Sequence, residues 1–461
     1  MNQMQKNIRA LTLALLVLFG SLIVYFFYTI PAYSGRWFAT PYNTRLRAAK
    51  SKVIPGDIFD RNGVLLASTD GDGSRRYKGS SSLRRGVAHV LGDPQGLVPT
   101  GAETMFAAEL LGFHSGLFDR FAQLFAERRR GSDVTLTIDA ELSAYIASEF
   151  PDGYDGAVAL MDYESGEILA LYSSPAFKLS DPSASAEGAL LNRALQGRYA
   201  PGSIFKLITL SCALENIPNV LDRQIDCTGH LQVTGAVEVT DTSGEGHGHL
   251  TMREAFEKSC NIAYASLALE LGEDALRRTA RNFGFNGNFL FPEVIVYESL
   301  FPSSIEDEGE LAWTGVGQGK LLASPLHMAM IAGAMANGGV MAQPKLLLSA
   351  KDQSGALRQG AAAKSFQRAV SADQAAILHG LMLETVQKGT ATRAAVSGLQ
   401  IGGKTGTAQV NSSGGKYEPH SWFIGFCEEK RLCLAVVVEN GGAGSGAASR
   451  LAGKIFKKAN R

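Results

Sequence analysis

This chain has no excess of charge of either sign. Lysine and arginine total 44 and aspartate and glutamate total 44, so the formal net charge is zero. A protein that tracks a nucleic acid backbone needs a basic footprint, and this balance excludes nucleic acid as a leading partner. Cysteine is also scarce, at five in 461 residues. A chain this long can bury a proper core and does not need a disulfide framework. An odd count leaves at least one free thiol. Cys427 and Cys433 flank a polar turn between apolar runs, so they are either a cross-strand disulfide or two strand cysteines used as small apolar groups. Long hydrophobic runs are rare too, with one exception at the N-terminus.

That exception is Leu11 to Ile30, an uncharged stretch of about 20 residues, the length a helix needs to cross the hydrocarbon core. Tyr25 and Tyr28 suit the interfacial aromatic belt. The following Pro31-Ala32-Tyr33-Ser34 is a poor cleavage site, so the expectation is an uncleaved anchor. Lys6 and Arg9 precede it while Arg36, Arg45, Arg47 and Lys50 follow it, and these flanking charges do not fix its orientation.

Beyond the anchor the pattern predicts a small membrane-proximal N-terminal domain over 31–131, with a cytoplasmic tail over 1–10 and a large domain over 132–461. The stretch Ser68 to Arg85 reads as a polar loop. An alternating run over 133–139 opens the large domain, followed by a helical pattern through Leu142, Tyr145 and Ile146. Ala157–Met161 with Ile168–Tyr172, and Trp422–Phe426 with Leu432–Val438, read as two antiparallel hairpins. Lys404–Val410 reads as a neighbouring strand, and 203–397 as mainly helical with glycine-rich breaks. The expected fold class is α/β, an antiparallel sheet sandwiched by helices, with a small N-terminal α+β domain and one transmembrane helix.

Three short patterns carry chemistry. Pro201-Gly202-Ser203-Ile204-Phe205-Lys206 puts a turn before a helix start and then a hydroxyl and an amine three residues apart, on one helical face. That arrangement suits a serine nucleophile with a lysine base, provided burial or a second cation, such as Lys404, lowers the lysine pKa. Alone the pattern is common in chains of this length. Ser259-Cys260-Asn261 offers a hydroxyl for proton relay and an amide to hold a peptide, although alone it reads as a helix cap. Lys404-Thr405-Gly406-Thr407 places a cation and two hydroxyls on a strand, with Gly406 admitting a close backbone. Such a strand can bind a carboxylate and pair with an extended peptide.

In this order the three resemble the Ser-x-x-Lys, Ser-x-Asn and Lys-Thr-Gly set of the serine penicillin-recognising enzymes. Ile54-Pro55-Gly56-Asp57-Ile58-Phe59-Asp60-Arg61-Asn62-Gly63 resembles the N-terminal box of class B penicillin-binding proteins, with Pro55 where that family has arginine. Asn192-Arg193-Ala194, Gly315 to Gly319 and Ala336 to Gly339 are further family-like stretches. The resemblance spans residues 54–440 and implies a peptidoglycan D,D-transpeptidase, bound by penicillins, acting outside the membrane where its substrate lies.

Carried over, it makes Ser203 the acylated nucleophile, Lys206 its base, Ser259 the proton relay organised by Lys404, and Asn261 the holder of the substrate amide. Thr405, Gly406 and Thr407 would bind substrate, the threonines taking its terminal carboxylate, with the N–H groups of Ser203 and Thr407 as oxyanion hole. It implies no metal and no cofactor. It also implies a multi-spanning SEDS-type glycan polymerase as partner, reached through the anchor and the N-terminal domain.

The rival functions are a β-lactamase, a bifunctional polymerase-transpeptidase, a D,D-carboxypeptidase and a β-lactam sensor or scaffold. The class A β-lactamase Glu-x-x-Leu-Asn loop is missing between the second and third motifs. Residues 31–130 are too few and irregular for a glycan polymerase. The intact Ser203, Lys206, Ser259, Asn261 and Lys404 argue against a silent scaffold. His247-Gly248-His249 after Glu245 could hint at a metal, its spacing putting both histidines on one side of a strand, but no cysteine or carboxylate cluster is expected to complete it, and family members often carry a His-Gly pair here, so a glycine-rich loop is expected. Gln318 and Lys320 lack the strand and Lys-Ser/Thr ending of a phosphate cradle.

Overall fold

Seven consecutive residues, Leu432–Val438, are all buried, and a strand with that pattern must be covered on both faces. It lies at the centre of a five-stranded antiparallel sheet ordered Ile401–Ala408, His420–Cys427, Leu432–Val438, Gly156–Asp162, Ile168–Ser174. The computed structural model describes residues 3–38, 53–113, 129–241, 244–409 and 419–461. Alternation sends Val158, Leu160, Leu434 and Val436 to one face, beneath the helices Ala140–Glu149 and Ala447–Ala459. Ala159, Met161, Ala435 and Val437 go to the other, where the apolar helix Pro325–Ala336 lies with Met328, Met330 and Met335 buried.

Both expected hairpins are present, and the Lys404 strand begins earlier than expected, at Ile401. It ends at Ala408, and Val410 lies outside the described residues. Cys433 stands opposite Phe426 and Cys427 opposite Leu432, so the two cysteines project to opposite faces of the sheet. Each is a buried free thiol, which decides the question left open by the sequence.

A second, six-stranded sheet is ordered Leu357–Gln359, Leu347–Lys351, Asp133–Leu136, Ile58–Phe59, Leu65–Thr69, Arg75–Tyr77. Strands from both sides of residue 131 therefore share it. The Ser68 to Arg85 stretch is not a loop. It holds the end of one strand, the strand Arg75–Tyr77 and the first turn of the helix Ser81–Leu91, because Arg75 is buried against Glu103 at 2.6 Å and Ser80 caps the helix. Asp60, in the box near the N-terminus, is fully buried and accepts the N–H groups of Asn62, Val64 and Ala140. This ties the first strands to the helix Ala140–Glu149.

Between the sheets, 203–397 is helical as expected but also carries short paired strands, among them Gln224–Cys227 with Gly248–Thr251 and His230–Gln232 with Glu238–Thr240. At the N-terminus, Gln3–Phe38 is one helix, and the most apolar 18-residue stretch within Gln3–Phe26 has mean hydropathy 2.2 and is not buried. It is the one helix among the described residues long and apolar enough to cross a membrane.

Candidate active site

Gly202 begins the site. Its φ of +57° is open to glycine, and its N–H donates to Gly317 O at 2.8 Å. A Cβ there would stand 2.5 Å from Thr407 O, and one on Gly317 would stand 1.9 Å from Gly202 O. Two glycines thus let three backbones meet: the Ser203 turn, the Gly315–Gly319 loop and the Lys404 strand. Gln318 Nε2 reinforces this by donating to Thr407 O at 3.3 Å. Ser203 sits on the 3-10 turn Gly202–Phe205, half-buried, and the helix Lys206–Asn216 follows without a break. The nucleophile candidate and Lys206 are therefore one turn apart.

The second motif is a break between helices. Met252–Lys258 starts with a capping box of Thr251 and Glu254 and ends at Ser259, which adopts φ 61°, ψ 38°. Left-handed backbone is uncommon for serine and marks a position held by its surroundings. Cys260 caps the next helix, Asn261–Asn282. This reversal directs Ser259 and Asn261 together at Lys206, whose Nζ donates to Ser259 O at 2.5 Å, to Asn261 Oδ1 at 2.6 Å and to Ser259 Oγ at 3.3 Å. Lys404 Nζ approaches from the edge strand and donates to Ser259 Oγ at 2.8 Å. The Ser259 hydroxyl lies between the two amines.

Both lysines are fully buried. Burial draws Lys206 down from 10.5 to about 7, opposed by the nearby Cys260, Asp241 and Cys227. Lys404 is lowered well below its ordinary value, first by burial and then by the charge of Lys206. Burial rather than the second cation is the main cause at Lys206. Aromatic faces soften the desolvation, with Tyr264 5.4 Å from Lys206 Nζ and Phe256 5.5 Å from Lys404 Nζ.

Thr405 and Thr407 alternate with Lys404 and Gly406 along the strand. Thr405 Oγ1 donates to Thr390 Oγ1 at 2.7 Å, and Thr407 Oγ1 accepts the Gly444 N–H at 3.0 Å. Among the described residues the strand is one edge of its sheet, so an extended peptide can add to it. Lys206, Ser259, Asn261 and Lys404 are thus joined by hydrogen bonds, with Ser203 one turn away and the Thr405–Thr407 segment alongside.

Several contributors carry no sequence signal of their own. Asp241 Oδ1 accepts the Asn261 N–H at 2.6 Å, and Thr240 O accepts Asn261 Nδ2 at 2.8 Å. Thr390 and Gly444 belong to segments that only the fold brings near. Phe256 and Tyr264 were reachable, being three residues before Ser259 and three residues beyond Asn261 on the flanking helices. His247 lies in a loop as expected, but Cys227, Asp241 and Cys260 gather beside it, against the expectation that no cysteine or carboxylate cluster would. Gly248, at φ +70°, turns the chain so that His247 faces Asp241 at 3.2 Å while His249 faces outward to Asp226 at 3.5 Å.

The sheet, the helix-borne serine and the two buried lysines define a serine acyl-transfer scaffold, and comparison with solved structures agrees. Penicillin-binding protein A from M. tuberculosis, solved as a ceftriaxone acyl-enzyme complex, superposes with a TM-score of 0.80 at 29% identity, covering 89% of this chain and 99% of that one. The D,D-transpeptidase domain of a peptidoglycan glycosyltransferase from Eggerthella lenta matches with a TM-score of 0.76 at 30% identity, covering 89% and 99%. Among curated relatives, the peptidoglycan D,D-transpeptidase PbpA of Mycolicibacterium smegmatis is 30% identical over 95% of this chain and 94% of its own. The penicillin-binding protein transpeptidase domain family matches residues 156–461, and the chain belongs to that family.

Proposed function

We propose that this protein is a membrane-anchored peptidoglycan D,D-transpeptidase and a target of β-lactams. The observation that carries the reading is the Ser259 hydroxyl held between Lys404 Nζ at 2.8 Å and Lys206 Nζ at 3.3 Å, one helical turn from Ser203. Ser203 Oγ attacks the carbonyl of the penultimate D-alanine of a donor stem peptide, and neutral Lys206 takes the hydroxyl proton. Backbone N–H groups of Ser203 and Thr407 stabilise the oxyanion. The tetrahedral intermediate collapses by breaking the C–N bond, and the proton passes through Ser259 to the departing terminal D-alanine. An acceptor amine then attacks the ester, Lys206 takes its proton, and Ser203 leaves with a proton restored.

Asn261 holds the substrate amide, and Thr405 and Thr407 take its terminal carboxylate. The helix Gln3–Phe38 serves as a single-pass anchor with the catalytic domain outside the membrane, where stem peptides are found. The N-terminal segment and the anchor would contact a SEDS-type glycan polymerase, a reading that rests on family resemblance. Incubation with a donor stem peptide and an acceptor amine tests the reaction: a cross-linked product with release of D-alanine supports transfer, whereas hydrolysis alone at saturating acceptor would make it a carboxypeptidase.

A further inference from the structure

On an edge strand of an antiparallel sheet, one residue turns both its N–H and its C=O to the neighbouring strand and the next turns both outward. Two groups show which way Thr407 turns. A Cβ on Gly202 would stand 2.5 Å from Thr407 O, and Gln318 Nε2 donates to the same oxygen at 3.3 Å. Neither residue belongs to the sheet, whose next strand, His420–Cys427, pairs along the other side. Thr407 O is therefore an outward acceptor of the kind an extended peptide uses when it adds to a sheet edge. A side-chain amide of the protein itself already holds it.

The backbone around Gln318 is pinned while its side chain reaches across. The helix Glu308–Val316 ends at Gly317 with φ +98°, and Gly319 follows at φ +77°, both values that favour glycine. Gln318 N–H donates to Trp313 O at 2.9 Å, and Gly317 O accepts the Gly202 N–H at 2.8 Å. A carbonyl only accepts, so the amide must present its Nε2 to Thr407 O. At 3.3 Å, from a half-buried side chain, this bond is at the long end for its type, and a better-placed N–H can displace it.

Residues paired across an antiparallel edge exchange both of their backbone bonds. In the proposed reaction the Thr407 N–H takes the oxyanion formed on the penultimate D-alanine carbonyl, so the N–H of that same D-alanine falls at Thr407 O. We infer that Gln318 is a specificity-determining residue of the donor site: its amide stands in for this peptide N–H and gives up Thr407 O only to a donor that brings one. The inference rests on the reading of the chain as a D,D-transpeptidase. A donor without an N–H at that position leaves Gln318 on the carbonyl and gains no bond from it. The stand-in also keeps an edge acceptor beside the nucleophile from pairing with an unrelated strand.

The test uses the full chain in detergent and two penicillins. A penicillin with an acylamino side chain carries its N–H on the carbon beside the ring carbonyl that Ser203 attacks, the same place the N–H has in the peptide. Its partner is the analogue in which an ester oxygen replaces that N–H. Rate constants for formation of the covalent adduct, followed by intact mass, give one ratio for each protein, amide ligand over ester ligand. Gln318→Met keeps the length of the side chain and removes the donor, and the ratio is expected to rise by roughly fivefold over the wild type. The amide ligand then has no hydrogen bond to displace, while the ester oxygen meets a carbonyl that nothing shields. Gln318→Ala should move the ratio in the same direction, and it supplies the comparison should Gln318→Met fail to fold.

A glutamine that merely braced its loop against the strand would, when replaced, slow both ligands together and leave the ratio where it was. That result, or a ratio that falls, overturns the inference. A wild-type protein that forms no Ser203 adduct with either penicillin overturns the transpeptidase reading and the inference with it. Adducts that form normally with an unchanged ratio overturn the inference alone, so the two failures are distinguishable.

Discussion

In the proposed mechanism Lys206 must be neutral to accept a proton from Ser203, and burial brings its pKa to about 7. The working form of the base is therefore the deprotonated one. Acylation by a fluorescent penicillin should rise as pH increases through about 7 and decline as pH falls below it, a limb that a stopped-flow pH series will resolve. Lys206→Arg should lose acylation by about a hundredfold or more, because a guanidinium does not deprotonate. A flat profile from pH 5.5 to 9 would assign the proton to another group. That Ser203, Lys206, Ser259, Asn261 and Lys404 would come together was legible because each lies in a short pattern and the patterns follow one another in order. Asp241 and Thr390 were not, since a carboxylate or hydroxyl supporting a site through the fold leaves no local spacing to read.

The contact of the Ser203 turn with the edge strand depends on glycine. Gly202→Ala would place a methyl 2.5 Å from Thr407 O at a φ that alanine disfavours. Overpacking and backbone strain together should cost roughly 1–3 kcal/mol of stability. Because the clash pushes Ser203 and Thr407 apart, acylation should fall further than the melting temperature alone accounts for. Thermal melts paired with adduct kinetics will separate the two. The long strands of the central sheet were readable from their continuous apolar runs, which the fold buries. The short strands Gln224–Cys227 and Glu238–Thr240 were not: they are mostly polar, only 3 to 4 residues long, and defined by pairing instead of periodicity. The same applies to Arg75–Tyr77, where an arginine whose side chain turns inward to pair with Glu103 imitates a solvated loop in sequence.

At the scale of the whole molecule, the six-stranded sheet binds the N-terminal segment to the rest. Ile58 and Phe59 pair in parallel with Val134 and Thr135, and the strand Asp133–Leu136 also pairs with Leu347–Lys351. No local pattern announces a parallel pairing across so long a separation. A chain truncated to begin at residue 132 loses three strands of this sheet and the Asp60 carboxylate, leaving an open edge and the Ala140 N–H without that acceptor. Its melting temperature should lie well below that of a chain beginning at Val53, and it should aggregate more readily; equal melting would mean the N-terminal strands are a dispensable addition. The account as a whole turns on the hydroxyl of Ser203. Intact-mass and peptide analysis after exposure to a labelled penicillin should find a long-lived covalent adduct on Ser203, absent from Ser203→Ala with its fold preserved. A wild-type protein that forms no adduct, or an adduct that survives in Ser203→Ala, would contradict it.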